Sequence, residues 1–169
     1  MKKHLYVCVL FFSFVAISFA QQTVESDKFD WLMGEWRGKG SGQPGEGSGV
    51  FSFAAELDGN IIVRRSRTEF PAIDNRPEMV HSDLLIVYRD IGGNPVKAIY
   101  FDNEGHTINY SVDFADRKVI FTSEKTPNIP TFRLTYSRMD EKMIHTKFEF
   151  SADGENFMTH VEGVSEKIE

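Results

Sequence analysis

The 169 residues contain a single cysteine, Cys8. No disulfide framework can form within the chain, so its stability has to come from a packed core. Clustered positive charge is missing too. Nineteen Lys and Arg stand against 25 Asp and Glu, the formal net charge is −6, and no basic run occurs. Such a chain is a poor partner for nucleic acid or for an anionic membrane surface. There is no Gly-x-Ser-x-Gly elbow, no phosphate loop, and no His-x-His or His-Glu-x-x-His spacing. The usual signatures of serine hydrolysis, nucleotide binding and zinc chemistry are therefore absent. Internal repeats and long linkers are lacking as well.

Long apolar runs are confined to the start, MKKHLYVCVLFFSFVAISFA (1–20), where Lys2 and Lys3 precede a nearly wholly apolar stretch at 5–16 and Ser18-Phe19-Ala20 follows. The stretch is short for a membrane span and no stop-transfer charges come after it. This pattern predicts a signal peptide cut after Ala20, export to a periplasm or the exterior, and no membrane anchor on the mature chain. An uncleaved anchor is the competing possibility. Cleavage removes the only cysteine, and loss of Lys2 and Lys3 takes the formal charge from −6 to −8. The remaining chain, about 149 residues, can bury roughly two-thirds of its unfolded surface, enough for one domain. Residues 21–26 read as a flexible N-terminus and 27–169 as that domain.

The rest of the sequence is β-patterned. Short segments alternate apolar with polar residues, and turn signals recur about every ten residues. Residues 27–33 predict one or two helical turns, capped by Ser26 or Asp27. Strands are expected at 34–41, 49–57, 60–70, 79–89, 96–102, 106–114, 118–124, 131–138, 143–151 and 156–164. The breaks include Asp58-Gly59, Gly92-Gly93-Asn94-Pro95, Asn103-Glu104-Gly105 and Ala152-Asp153-Gly154. About ten sequential antiparallel strands with one polar face predict an all-β, up-and-down barrel, whose closure would leave no exposed edges. A two-sheet sandwich is the alternative. GKGSGQPGEGSG (38–49) lacks the ending and the helix of a phosphate cradle and is expected to be a flexible connection between the first two strands.

Hairpin register assigns side chains to faces, because a one-residue slip reverses every one of them. An Asp58-Gly59 two-residue loop sets Leu57 opposite Asn60, Ala55 opposite Ile62, Phe53 opposite Arg64 and Phe51 opposite Ser66. Phe51, Phe53 and Leu57 would mark the inner face, and Arg64 would point inward beside two phenylalanines. A guanidinium there needs an anion, a carboxylate or water, so Arg64 is either an anion anchor or half of an internal salt bridge. A three-residue loop with Gly105 as a bulge puts Asp102 opposite His106, Tyr100 opposite Ile108 and Ala98 opposite Tyr110. Asp102 and His106 would then meet at the rim above Tyr100 and Tyr110. That pair could orient a base, hold a ligand or simply tie the turn. His81 and Asp83 share a strand face opposite Val80, Leu84, Ile86 and Tyr88, and are expected to point outward. His160 points inward if 152–154 form the loop, with Phe148 opposite Met158, and outward if Asp153-Gly154 alone do, with Phe148 opposite Thr159.

FDWLMGEWRGKGSG (29–42) resembles the opening of calycin barrels, in which a short helix leads into a Gly-x-Trp strand and the Trp plugs one end. Gly34-Glu35-Trp36 matches Gly-x-Trp as lipocalins have it. Trp36-Arg37-Gly38-Lys39-Gly40, ELDGNIIVRRSRTEFPA (56–72) and YFDNEGH (100–106) look similar to nitrobindin-like haem-binding barrels and their exported, uncharacterised relatives. The resemblance implies a barrel over most of the mature length, with Trp36 as a core plug. It also implies that haem, if bound, would take its histidine from the last strand, a role only His160 could fill.

Three functional expectations follow. The first is an exported, non-enzymatic barrel that binds a small hydrophobic or amphipathic molecule through Phe51, Phe53, Tyr100, Tyr110, Phe132 and Tyr136, with Arg64, Asp102 and His106 as polar contacts. The second is haem binding through His160, with Arg64 near the propionates. The third is an enzyme in which Asp102 orients His106 as a base and Tyr100 or Tyr110 acts as acid.

Overall fold

The structure, a computed structural model, describes residues 26–42, 45–73, 76–90 and 96–168. The predicted signal peptide, the flexible N-terminus before Ser26 and the Gly92-Gly93-Asn94-Pro95 break lie outside these residues. The described chain opens with one α-helical turn, α1 (Ser26–Phe29), followed by a 3-10 turn (Asp30–Leu32). Ser26 is thus the first helical residue rather than the cap. Ten strands follow: β1 (Gly34–Gly42), β2 (Gly47–Glu56), β3 (Ile61–Phe70), β4 (Met79–Arg89), β5 (Val96–Asp102), β6 (Thr107–Ala115), β7 (Lys118–Ser123), β8 (Thr131–Arg138), β9 (Met143–Ser151) and β10 (Met158–Ile168). Every strand pairs antiparallel with its sequence neighbour, and β1 pairs with β10 to close the barrel. The up-and-down barrel is the observed fold, and the sandwich is not.

The glycine-rich segment is mostly strand rather than connection, since residues 38–42 belong to β1 and 47–49 to β2. The missing side chains let adjacent strands come close. A Cβ on Gly163 of β10 would run into the Lys39 carbonyl and lie 2.8 Å from Gly40 Cα. These glycines serve a tightly coiled wall, a use of glycine inside strands that loop-like composition conceals.

Burial divides the barrel into two unequal halves. At the end carrying α1, the inner face is sealed: Phe29, Leu32, Trp36, Phe53, Ile62, Leu85, Val87, Tyr110, Val119, Phe121, Tyr136 and Ile144 are all at most 2% exposed. Trp36 closes this end, its indole N–H donating to the Leu32 carbonyl at 2.8 Å. At the opposite end several inward residues are only half-buried, Ser66, Thr68 and His81 on one side and Ile108, Phe132 and Phe148 on the other, although Phe70 and Ser123 there are buried. One half is a core, and the other, called the cup below, is lined in part by half-buried side chains.

The β2–β3 register is the expected one, with Phe53 opposite Arg64 and Phe51 opposite Ser66. The turn is longer than two residues, because pairing stops at Glu56 and Ile61. Leu57, Asp58 and Gly59 all take positive φ, at 52°, 56° and 80°. Leu57 leaves the ladder as a result and is 69% exposed, so it does not mark the inner face.

Candidate functional site

Arg64 enters the barrel from the middle of β3, as its register requires, and is 8% exposed. Its guanidinium lies 5.4 Å from the Phe51 ring centre and 5.8 Å from that of Tyr136. Its head is ion-paired to Asp83, whose side chain is 5% exposed. The expectation that His81 and Asp83 point outward is therefore wrong. Leu85 and Val87, both fully buried, share the His81–Asp83 face of β4 and fix it as the inner one. The outward face misleads because it is apolar as well. Leu84 lies opposite Phe101 and Ile86 opposite Ile99 across the β4–β5 ladder, on the outer wall.

A chain of polar contacts runs from this ion pair to the rim. His81 Nε2 is 3.5 Å from Asp83 Oδ2 and 3.0 Å from the Tyr100 hydroxyl, while His81 Nδ1 is 3.0 Å from Glu104 Oε1. Tyr100 donates to Asp102 Oδ2 at 3.3 Å, and His106 Nδ1 lies 2.8 Å from the same oxygen. The rim hairpin has its expected form. Gly105 sits at φ 91°, its N–H donates to the Asp102 carbonyl at 3.2 Å, and Tyr100 and Ala98 oppose Ile108 and Tyr110.

The charges follow from these contacts. Burial opposes the Arg64 charge, but the Asp83 carboxylate raises its pKa on balance, helped by Tyr136 and Tyr100. Burial pushes the hydroxyls of Tyr100, Tyr110 and Tyr136 well above the ordinary phenol value, so all three remain protonated donors. Burial tends to raise Asp102, yet the hydrogen bonds from His106 and Glu104 bring it below its usual value. The Asp102 hydrogen bond raises His106.

Asp102 mainly organises the turn. Its Oδ1 accepts the backbone N–H groups of Glu104 and His106, at 3.0 and 2.9 Å. The His106 side chain is 63% exposed whereas that of Asp102 is 4%, so the imidazole stands on the rim rather than in the cup. Among the described residues, no group of three His, Cys, Asp or Glu side chains is placed to hold a metal.

His160 follows neither expected register. Phe150 opposes Met158, Phe148 opposes Val161, and a bulge between Thr159 and Val161 carries His160. The loop before β10 spans 152–157, longer than either turn expected from the sequence, because Asp153 accepts three backbone and side-chain donors from Glu155 and Asn156. The half-buried His160 ring lies edge-on to Phe148 and Phe150, 6.0 Å from each. An imidazole against apolar rings suits an axial haem ligand. The cation expected for the propionates does not fit, because Arg64 is committed to Asp83 at the floor.

The aromatics expected to line a site fall into two groups. Phe53, Tyr110 and Tyr136 are core, with Phe53 and Tyr136 edge to face at 5.2 Å. Phe51, Tyr100 and Phe132 are half-buried and border the cup, where Phe132 stacks on Phe148 at 5.8 Å. Three polar atoms at the floor are buried without a hydrogen-bond partner: Arg64 Nε, Tyr136 Oη and Thr146 Oγ1. Tyr136 and Thr146 face each other across β8 and β9. Thr146 is expected opposite His160 if 152–154 form the loop, but it pairs with Gly163 instead; a threonine in a strand is ordinary, and only its opposition to a buried tyrosine singles it out. Two open grooves among the described residues lie elsewhere. One, of about 1150 Å³, runs over the outer wall beside Lys39, His145 and Glu162; the other, of about 400 Å³, lies between Lys125 and Asp153.

Fold and site together define a closed ten-strand antiparallel barrel with a buried Arg64–Asp83 ion pair inside it. The crystal structure of Rv2717c from M. tuberculosis has a similar fold, with a TM-score of 0.58 and 14% identity over 87% of this chain and 99% of that one. Identity this low speaks for the fold alone. No family model and no curated protein matches the sequence.

Proposed function

We propose that this is an exported, calycin-type barrel whose open half binds a small amphipathic molecule without transforming it. The observation that carries this is a half-buried aromatic wall (Phe51, Phe132, Phe148) at the same end of the barrel as the half-buried, hydrogen-bonded pair His81 and Tyr100. Apolar walls with a few polar anchors are the usual anatomy of a small-molecule site. Export is supported by the leader-like residues 1–20. The test is native mass spectrometry of the mature protein purified from its own source, with amide NMR of the stripped form. A retained molecule whose removal shifts resonances of the upper strands is expected. Shifts confined to the outer wall would overturn the assignment.

A second reading is haem binding through His160, favoured by the phenylalanine rings on either side of the imidazole. Haem titration followed at the Soret band checks it. His160→Ala should abolish the band shift, and a variant that binds unchanged removes His160 as ligand.

A further inference from the structure

The larger of the two grooves lies over the seam that closes the barrel, where β1 meets β10. Trp36 faces inward, so Arg37 and Lys39 face out, and the register puts Glu166 and Val164 beside them on β10. Val50 on β2 lies opposite Arg37, and Met143 on β9 lies opposite Glu166. One row across four strands of the outer wall therefore reads Val50, Arg37, Glu166, Met143. Val50 is 43% exposed and Val164 38%. Arg37, Lys39 and Glu166 are exposed as well, and among the described residues none of the three has an ion-pair or hydrogen-bond partner. A bridge between such exposed charges within one chain contributes little, so both signs remain available to a second molecule.

This row is its own complement. A two-fold axis laid along the seam, parallel to the strands, sets β1 of one copy over β10 of the other at the same height. Arg37 then meets Glu166 of the second copy, Val50 meets Met143 of the second copy, and each contact occurs twice. An axis across the strands would instead put β1 on β1 and gather Arg37 and Lys39 of both copies, a repulsive arrangement. Charge and apolar pattern together select a copy of this chain, in one orientation. Four strands about 4.8 Å apart and roughly 30 Å long cover on the order of 600 Å² per copy, the small end of specific interfaces, which suits a reversible dimer. We propose that the β1–β10 seam is a homodimer face, held by reciprocal Arg37–Glu166 pairs and flanked by Val50 and Met143.

The test is sedimentation equilibrium of the mature protein from about 1 to 500 µM, at low salt and at about 0.5 M salt. A monomer–dimer equilibrium is expected, weaker in high salt. Arg37→Glu and Glu166→Arg should each raise the dimer Kd at least tenfold, and an equimolar mixture of the two variants should dimerise as the native chain does. Mixing restores both contacts only where the charges meet between copies. Both residues are on the surface, and an unchanged Tm shows that each variant is folded. Loss of the dimer without rescue on mixing would overturn the proposal, and so would a dimer indifferent to both reversals. On dilution of the native protein, the amide resonances of Lys39 and Val164 should shift. Shifts confined to the apolar outer wall around Leu84 and Phe101 would place the contact there and overturn the assignment to the seam. A monomer at every concentration overturns it too, and leaves the face to a partner other than this chain.

Discussion

Asp102 and His106 show how much a single pair can reveal. The hydrogen bond at 2.8 Å raises His106 and helps hold Asp102 down. For His106, whose folded pKa is raised, the contribution to stability is full below its ordinary 6.5 and is lost as pH rises through the folded value. For Asp102, whose folded pKa is lowered, it is full above its ordinary 3.8 and is lost as pH falls through the folded value. The turn should therefore be firmest between these limits. Titration of the His106 imidazole by NMR should give a pKa above 6.5 that falls towards 6.5 in Asp102→Asn. An unchanged value would mean that the carboxylate does not act on the ring. The partnership was legible from hairpin chemistry, because Gly105 three residues after Asp102 fixes the loop. The inward Asp83 was not, since the partner that explains its burial, Arg64, is 19 residues away and β4 is apolar on both faces.

Among the elements, β1 and β10 carry a sharp constraint. Gly163→Ala introduces a methyl against the Lys39 carbonyl and Gly40 Cα, atoms that cannot swing aside as a flexible side chain can. Overpacking of this kind costs about 1–3 kcal/mol, so the urea midpoint should fall by a corresponding amount. Gly105→Ala tests a different cause, because nothing lies within 4 Å of the added methyl and only the φ of 91° resists it. A smaller loss is expected there, on the order of 1 kcal/mol. Strand number, order and most registers could be read from the sequence because each hairpin is local. The His160 bulge could not. It depends on how the Asp153 loop sets the start of β10 against β9, and both turn readings available from the sequence assumed an unbroken ladder.

At the scale of the molecule, the division into a core and a cup predicts unequal sensitivity. Phe53, 2% exposed in the sealed half, should cost about 3–5 kcal/mol when replaced by alanine. Phe132, half-buried at the cup, should cost roughly half that. Chemical denaturation of Phe53→Ala and Phe132→Ala compares them directly, and equal losses would mean that the upper half is packed as tightly as the lower. Composition and periodicity could announce a barrel but not this division, because burial along the barrel axis depends on where the helical turn and Trp36 close one end.

Closure by β1 against β10 joins the first strand to the last. During synthesis, β10, the partner for one side of β1, emerges after the other nine strands, so until then the nascent sheet has two unsatisfied edges. A chain stopped after β9 should be competent for hairpins yet prone to join its neighbours edge to edge. The ring closes only when the eleven residues of β10 are present, so the first strand of the barrel waits on the tenth for its second partner.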